Sequence, residues 1–480
     1  MYSNPGVRAL GALGGGVAVA LSLPPFGWWP LAIAGVAALA WAIDGQSCRT
    51  RLLIGAAFGL GQFTIGLWWM GEFNGAGAGA VVVLETLFVM GATVVAPRPV
   101  VLPAALVLAE AARGAVPFGG LPMGGIALGQ IAGPLGGSAR VGGHLLLVAL
   151  TAVAGVGVAA VVSRHRRSAV AAGALVAITV VTGVVSPDGG RADAILNVAA
   201  VQGGGPRGFR KDDVDERLVF EAQLAASAAL PAGLDLVVWP EDVVDVEGDI
   251  VDAPEAGEVA ALARRTGATV VAGVIEGQGR RFRNAAVAWS PEGRIVARYD
   301  KVHRVPFGEY IPARALFKRL GDVSAVPRDA IAGTGTGLLG TPAGDLGALI
   351  SYEVFFADRA RAATNAGARL LLVPTNAASF STSQVPTQEL AAARLRAVES
   401  GRDLVQAAPT GYSGVIDHRG RVLDRTTLGN REVLAATVSL RTGRTVYSRA
   451  GDAPVIVAAG LVALVAVLRP RLRRGSRKAR

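Results

Sequence analysis

Long apolar segments separated by short polar loops fill the first 190 residues of this 480-residue chain. A stretch of about twenty apolar residues is long enough to cross a bilayer as a helix. We find eight candidate spans, at residues 7–23, 28–43, 52–70, 77–96, 99–115, 141–162, 168–186 and 453–468. The pattern predicts a multi-pass α-helical membrane domain of about eight spans. Gly14–Gly16 and Gly77–Gly79 are expected to let helices pack closely.

Between the seventh and eighth spans the pattern becomes that of a soluble protein. The predicted helices are Asp212–Ala229, Ala253–Thr266, Ala357–Ala366 and Val385–Ser400. The predicted strands are Ala194–Gln202, Leu234–Glu241, Thr269–Glu276, Asn284–Ser290, Ile295–Lys301, Gly347–Ile350, Arg369–Pro374, Asp403–Ala408 and Glu432–Val438, with a hairpin at Gly414–Val422. This alternation predicts a layered α/β domain. The predicted domains are 1–189 (about seven spans), 190–450 (the α/β domain) and 451–480 (the last span and a basic tail).

The net charge of +11 comes from short basic clusters beside the apolar segments. They are Cys48–Arg51, Arg98, Arg164–Arg167 and the tail Arg469–Arg480. If all eight spans are real, these clusters lie on one side, and basic loops mark the cytoplasmic side. Both termini are then expected in the cytoplasm and residues 190–450 outside it. Because the clusters flank membrane spans, we interpret them as topology signals and expect no nucleic-acid partner.

The chain offers few residues that bind metals. Cys48 is the only cysteine, so neither an intramolecular disulfide nor a thiolate cluster can form. The four histidines are scattered without the spacing of a metal site: His144, His165, His303 and His418. The sequence therefore disfavours a metal enzyme and implies no cofactor.

Three segments place polar groups at the ends of apolar strands, where α/β sheets present their sites. In the first, Leu236–Val238 leads through Trp-Pro to Glu241. A partly buried Glu has a raised pKa and can act as a general base, although a solvated strand-end Glu is the ordinary alternative. The second segment carries Lys301, one of four lysines among 47 Lys and Arg residues. Such a rare Lys suggests a compact ammonium that supports an oxyanion, unless it is a chance surface residue.

The third segment, Gly347–Glu353, is a strand expected to lead through a sharp turn directly into a helix. Such a turn exposes the side chain of its central residue, here Ser351, as a nucleophile. The backbone N–H of Tyr352 would then point towards a carbonyl oxygen held there. Many strand–helix junctions carry a Ser, so this segment alone is a weak signal.

Taken in order, the three segments resemble the active-site motifs of the nitrilase superfamily. The pattern Lys-x-His-x-Val-Pro-Phe-Gly-Glu at 301–309, the later Val373–Asn376 and the eight-span frame resemble the apolipoprotein N-acyltransferases in particular. The resemblance implies an α-β-β-α sandwich outside the bacterial cytoplasmic membrane. It also implies transfer of an acyl chain from a phospholipid to the N-terminal diacylglyceryl-cysteine amine of lipoproteins.

The resemblance also assigns roles to residues of this chain. It implies that Glu241 is the general base, that Lys301 supports the oxyanion and that position 351 holds the nucleophile. Glu309 is implied as a second essential acid, and the supporting residues are Tyr352 and Glu353. No cofactor is implied.

The chain departs from the family at two places. The family's nucleophile is Cys, whereas Ser351 stands here, and a hydroxyl needs help from a base because it is far less acidic than a thiol. After Asn376 an acidic residue and a Trp are replaced by Ala377–Ser379. Three interpretations remain: an acyltransferase that uses Ser351, an inactive homologue that binds lipids or lipoproteins, and a membrane-tethered amidase.

Overall fold

A computed structural model describes residues 4–204, 215–320, 323–378 and 384–478. The chain forms two compact units, one of Met1–Ser186 with Ala450–Arg480 and one of Pro187–Arg449. The start of the predicted helix Asp212–Ala229 (212–214) and Ser379 lie outside the described residues.

The first unit is helical, and each of the eight predicted spans overlaps one of its helices. The helices are α1 (Pro5–Ser22), α2 (Pro30–Ile43), α3 (Cys48–Gly66), α4 (Gly75–Val95), α5 (Leu102–Arg113), α6 (Ile126–Gln130), α7 (Ala139–Val162), α8 (Arg166–Val185) and the C-terminal helix Ala453–Lys478. Polar side chains cap several helix starts, since Asn4, Ser47 and Asn74 each accept a hydrogen bond from a backbone N–H of the first turn.

In the part of the chain that the structure describes, four helical segments are long and apolar enough to cross a membrane, namely Pro5–Ser22, Gly75–Val95, Gly136–Val162 and Arg166–Val185. Along α8 most side chains are exposed, including Val170, Ile178 and Val184, and Gly183 is its buried residue. Exposed apolar side chains along a whole helix are typical of a helix that faces lipid. The structure thus supports a membrane region, while α5, with 12 residues, is too short to cross the bilayer as a straight helix.

The predicted role of the glycine clusters is confirmed in part. A Cβ added to Gly16 on α1 would overlap the carbonyl oxygen of Phe58 on α3, so the two helices meet at a distance that only Gly permits. Around Gly14 and Gly79, in contrast, no described atom lies within 4 Å of such a Cβ, and Gly77 meets only Asn74 of its own helix start. The prediction for Gly77–Gly79 is wrong, because these residues lie at the exposed start of α4.

A buried ion cluster joins α4 to α5. The Arg113 Nε lies 2.5 Å from Glu85 Oε2, and its Nη1 lies 3.1 Å from Glu110 Oε1. The same guanidinium donates to the Met123 carbonyl oxygen in the segment before α6. Because charges in an apolar region need partners, this cluster fixes α4, α5 and the segment that follows them.

Among its described residues, the second unit contains two β-sheets and six α-helices. Its strands are β1 (Ala194–Gln202), β2 (Leu236–Val238), β3 (Val244–Glu247), β4 (Thr269–Gln278), β5 (Arg281–Trp289), β6 (Ile295–Asp300), β7 (Asp329–Ala330), β8 (Leu338–Thr341), β9 (Gly344–Ala348), β10 (Leu370–Pro374), β11 (Leu404–Ala407), β12 (Gly414–Ile416), β13 (Val422–Arg425) and β14 (Glu432–Leu440). Its helices are α9 (Glu216–Ala226), α10 (Pro254–Thr266), α11 (Arg314–Leu320), α12 (Ala357–Ala366), α13 (Gln384–Ser400) and α14 (Val446–Ala450).

The strands form two sheets that pack face to face. The first has the order β14-β1-β2-β4-β5-β6, with β3 beside β4 and β7 beside β5, and the second has the order β13-β12-β11-β10-β9-β8. One apolar core, with Val238, Leu346 and Leu372 among its members, lies between the sheets. A second core lies between the first sheet and helices α9 and α10, and α12 and α13 pack on the second sheet. The predicted layered α/β domain is confirmed, with its layers in the order α-β-β-α.

The parallel strands carry the site at their carboxyl ends. β1, β2 and β4 run parallel in the first sheet, and β9, β10 and β11 run parallel in the second. The predicted strand Leu234–Glu241 is shorter in the structure and ends at Val238. Because Pro240 has no N–H to donate, the chain leaves the sheet there, one residue before Glu241.

Candidate active site

Glu241 is held at the end of β2 by backbone hydrogen bonds to β4. The Trp239 N–H donates to the Val271 carbonyl oxygen at 2.8 Å, and the Gly273 N–H donates to that of Pro240 at 3.0 Å. A Cβ on residue 273 would overlap the Glu241 Cα, so the close approach requires Gly. As a result, Glu241 is only 5% exposed.

Lys301 follows β6 and directs its ammonium between two carboxylates. Its backbone N–H donates to the Asn284 carbonyl oxygen at 2.8 Å. Its Nζ lies 2.8 Å from Glu241 Oε1 and 2.7 Å from Glu309 Oε1, and the residue is 2% exposed. Burial lowers the pKa of Lys301, but the charges of Glu241 and Glu309 outweigh burial and raise this pKa above its ordinary value. Lys301 therefore stays an ammonium at every physiological pH.

Asn284 completes this cluster and was not predicted from the sequence. Its Nδ2 donates to Glu241 Oε1 at 2.8 Å and lies 3.2 Å from Glu309 Oε1. The other oxygen of Glu309 accepts the Val305 N–H at 2.7 Å. The signal in the sequence was a single Asn at the start of the apolar run Ala285–Trp289, since a buried polar residue in a central strand needs partners.

Ser351 stands at a sharp turn after β9. Its φ of +48° is in the left-handed region, which residues with a side chain seldom adopt. Strained backbone of this kind is common where a side chain is presented for chemistry. The expectation of a direct passage into a helix was wrong, because the 3₁₀ helix Ser351–Phe355 separates the turn from α12. Ser351 is the first residue of that 3₁₀ helix and is buried.

Glu353 connects the Lys301 segment to the Ser351 turn. It is fully buried, and its Oε1 accepts hydrogen bonds from the Val302 N–H at 2.8 Å and the His303 N–H at 3.0 Å. Its Oε2 accepts from the Ile350 N–H at 2.9 Å. One carboxylate thus binds the residue after Lys301 and the residue before Ser351, which places these two side chains in the same part of the domain.

One aromatic residue bonds this carboxylate, and further rings pack against one another beside the two segments that it connects. The Tyr299 hydroxyl donates to Glu353 Oε1 at 2.8 Å, and burial together with the Glu353 charge raises the pKa of Tyr299, so it remains a donor. Tyr352 packs edge-on against Phe356 with ring centres 5.0 Å apart. His303 stacks on the same Phe356 at 4.2 Å. His303 therefore has a packing role in this part of the domain.

The arrangement offers a carboxylate and an ammonium in one cluster, and Glu353 links the segment after Lys301 to the strained turn that carries the Ser351 hydroxyl. Such groups suit nucleophilic attack on a carbonyl carbon, with a proton acceptor and a positive charge near the developing oxyanion. The sequence missed Asn284, Tyr299 and a buried pair, Thr375 with Glu389, whose side chains meet at 2.8 Å.

Two family models match parts of this chain. The carbon-nitrogen hydrolase family matches residues 197–447, and the apolipoprotein N-acyltransferase N-terminal domain matches residues 15–157. Nit3 of Saccharomyces cerevisiae, a member of branch 10 of the nitrilase superfamily, is a similar solved structure with a TM-score of 0.40 and 17% identity, over 52% of this chain and 91% of that one.

Two relatives extend the similarity to nearly the whole chain. An apolipoprotein N-acyltransferase of Mycolicibacterium smegmatis is 32% identical over 95% of this chain and 84% of its own length. Another, from Allorhizobium ampelinum, is 31% identical over 90% of both chains. The similarity covers the helical region and the α/β domain together. This chain therefore belongs to the apolipoprotein N-acyltransferase family, within the nitrilase superfamily.

Proposed function

We propose that this protein transfers an acyl chain from a phospholipid to the N-terminal diacylglyceryl-cysteine amine of lipoproteins, through an acyl ester on Ser351. The observation that carries the proposal is the cluster of buried Glu241 and Lys301 with half-buried Glu309, linked to the Ser351 turn through Glu353. Membership of the family supports the reaction and its two lipid substrates.

In the first half-reaction the Ser351 Oγ attacks an ester carbonyl carbon of the phospholipid while Glu241 accepts the hydroxyl proton. The carbonyl electron pair moves to oxygen, and the Lys301 ammonium stabilises the oxyanion. Two of the three Nζ protons bind Glu241 and Glu309, which leaves a third donor for this purpose. The bond to the glycerol oxygen then breaks, and Glu241 returns the proton to that oxygen as the lysophospholipid leaves.

In the second half-reaction the neutral lipoprotein amine attacks the acyl ester on Ser351. Glu241 accepts a proton from the amine nitrogen and passes it to the Ser351 oxygen as that bond breaks. An amide forms, the hydroxyl is restored and no cofactor is consumed. Ser351, Glu241 and Lys301 therefore act in both half-reactions. Ser351 is the nucleophile in the first and the leaving group in the second.

A serine nucleophile depends more strongly on a proton acceptor than a cysteine nucleophile does. A thiol is partly ionised near neutral pH, whereas a hydroxyl must lose its proton during attack. Glu241 is held against Lys301 and Asn284 at 2.8 Å each, so its position is fixed before the substrate arrives. Tyr352 and Glu353 support the turn, and the Tyr352 N–H is the proposed second donor to the oxyanion.

The proposal includes a membrane topology. Residues 1–189 form about seven spans, residues 190–450 form the catalytic domain outside the cytoplasmic membrane, and residues 451–480 form the last span with a cytoplasmic tail. The basic clusters at Cys48–Arg51 and Arg164–Arg167 support this orientation. Two lipid-anchored substrates explain why a nitrilase-type domain would be attached to a membrane region.

Mass spectrometry of a reporter lipoprotein tests the proposal, in bacterial cells that lack any other N-acyltransferase. Expression of this protein is expected to convert the diacylated N-terminus to the triacylated form, and Ser351→Ala is expected to abolish the conversion. Ser351→Cys serves as the matched variant with a more acidic nucleophile, and its conversion is expected to persist.

Two outcomes would contradict the proposal. If the wild type leaves the diacylated form while Ser351→Cys produces the triacylated form, the natural protein is a scaffold whose chemistry has been lost. If all variants leave the diacylated form while the wild type releases ammonia from simple amides, the amidase interpretation replaces it.

A further inference from the structure

A buried carboxyl that has no part in the proposed mechanism lies on α13. Glu389 is 4% exposed, and its Oε1 accepts a hydrogen bond from the Thr375 hydroxyl at 2.8 Å. Its Oε2 is buried and has no hydrogen-bond partner among the described residues. An ionised carboxylate with an unbonded buried oxygen is unfavourable, whereas a carboxylic acid holds its proton on that oxygen.

The fold places Glu389 at the same end of the second sheet as the nucleophile. Thr375 directly follows β10, and β10 runs parallel to β9, with Leu372 paired to Ala348. β9 in turn leads to Ser351. Helix α13 also packs against the 3₁₀ helix Ser351–Phe355. The carboxyl and the nucleophile therefore belong to neighbouring elements at one sheet edge.

The charged groups around Glu389 are few. Glu241 and Lys301 act on it electrostatically. The 3₁₀ helix contributes Glu353, which is already bonded to backbone N–H groups, and β11 and β12 carry no ionisable residue. The remaining charged groups on α12 and α13 are Asp358, Arg359, Arg361, Arg394, Arg396 and Glu399.

Several of these groups are bonded to other partners. Asp358 lies 3.4 Å from the His303 ring, and Arg359 donates to the Tyr299 hydroxyl at 3.0 Å. Arg396 and Glu399 pair with each other at 3.1 Å. Glu241 is therefore the negative charge with which Glu389 interacts.

The ionisation of Glu389 falls in the physiological range. Burial raises its pKa, the Thr375 hydroxyl opposes the rise, and the Glu241 charge adds to it, which brings the pKa of Glu389 to about 7. Lys301 opposes the rise more weakly. The group is thus neutral in mildly acidic conditions and negative in mildly alkaline ones.

We propose that Glu389 is an ionisable positioning residue of the active site, which acts through Glu241 and controls how readily that carboxylate accepts the Ser351 proton. The inference rests on the Ser351 reaction proposed above. When Glu389 is neutral, Glu241 interacts chiefly with Lys301 and Asn284. When Glu389 is negative, the second charge attracts the proton that leaves Ser351. Acyl transfer is therefore faster on the alkaline side.

A pH profile of the first half-reaction tests this inference. The purified full-length protein receives a fluorescent phospholipid and no lipopeptide, so the rate of acyl-Ser351 formation does not depend on the ionisation of an acceptor amine. From about pH 5.5 to about pH 9 the wild-type rate is expected to rise with a midpoint near neutrality. The Glu389→Gln side chain cannot ionise, so this variant is expected to lack the rise. At the alkaline end its rate is expected to be about tenfold below that of the wild type, a factor equivalent to roughly one pK unit. Thr375→Val keeps the carboxyl but loses its hydroxyl donor, and it moves the midpoint to higher pH.

A second measurement does not depend on activity. In a Ser351→Ala background, infrared spectroscopy follows the carboxylic acid band that Glu389→Gln removes. This band is expected to disappear as the pH rises through neutrality, and Glu241→Gln is expected to move that transition to lower pH because a neighbouring negative charge is lost. If the band behaves so but no protein transfers acyl chains, the transfer proposal fails and the coupling of the two carboxyls stands.

Two results would overturn the inference. One is an infrared transition that does not move in Glu241→Gln. The other is a Glu389→Gln rate reduced by the same factor at every pH, which is the behaviour of a residue that only supports the fold.

Discussion

The charged side chains of this site compensate one another through direct contacts. Lys301 lies between Glu241 and Glu309, and Asn284 donates to the same two carboxylates. Removal of one member takes one partner away from the charged or polar groups that remain, and a buried group that loses a partner costs more than the bond itself contributes. Catalytic roles and stability are therefore coupled here, and variants must be compared with matched controls.

Glu353→Gln is expected to impair both folding and acyl transfer. An amide cannot accept on its NH₂ side, so either the Val302 and His303 N–H groups or the Ile350 N–H lose their acceptor. We expect the free energy of unfolding to fall by about 3 kcal/mol, measured by thermal unfolding in detergent. Tyr299→Phe removes a single donor to the same carboxylate and should cost about 1 kcal/mol. Equal stability of Glu353→Gln and wild type would contradict this role.

The raised pKa of Glu389 predicts how stability depends on pH. The native state keeps this proton up to about pH 7, whereas the unfolded chain loses it near 4.5. Because the native state binds more protons between these values, stability falls as the pH rises through that window. Glu389→Gln should leave the free energy of unfolding nearly unchanged at the acidic end of this window. Above pH 7 the substitution should increase it, by at most about 3 kcal/mol. The same stability difference at both ends of the range would show that Glu389 is not buried as described.

At the scale of elements, the contact of β2 with β4 sets the position of the base. Gly273→Ala would place a Cβ against the Glu241 backbone, so Glu241 must shift away from Lys301. We expect acyl transfer to fall by about tenfold to a hundredfold, since small displacements of a catalytic group are costly. Gly257→Ala on α10 is the control, because a Cβ there meets no described atom within 4 Å, and it should leave the rate unchanged. A fully active Gly273→Ala protein would contradict the argument.

Elements with a strong local pattern were predictable from the sequence. The strand Ala194–Gln202 and the helix Ala357–Ala366 have the predicted bounds, because their apolar residues follow the period of each structure. β3, β7 and β8 were missed, since two to four residues give too short a pattern.

Within the site, residues in recognisable motifs were predictable, and those that act through tertiary contacts were not. Glu241, Lys301 and Ser351 stand at strand ends in a known order, which local sequence reveals. Glu389 resembles any charged residue of a helix in the sequence, and only the packing of α13 on the 3₁₀ helix and the sheet buries it.

At the scale of the whole molecule, the proposed topology is tested by cysteine labelling. Cys48 is exposed in the protein and lies in a predicted cytoplasmic loop, so a membrane-impermeant maleimide should not label the wild type in intact cells. Arg280→Cys in a Cys48→Ser background places a thiol on the exposed β4–β5 turn of the α/β domain and should be labelled. Labelling of Cys48 but not of residue 280 in intact cells would reverse the orientation.

The proposed acyl transfer requires that Ser351 carry the acyl chain as an ester. The most direct measurement incubates the purified full-length protein with phospholipid and no acceptor, and then identifies the acylated peptide by mass spectrometry. The account predicts one acyl chain on the Ser351 side chain, absent from Ser351→Ala and removed when a diacylated lipopeptide is added. An unmodified Ser351 in protein that still produces triacylated lipopeptide would contradict it.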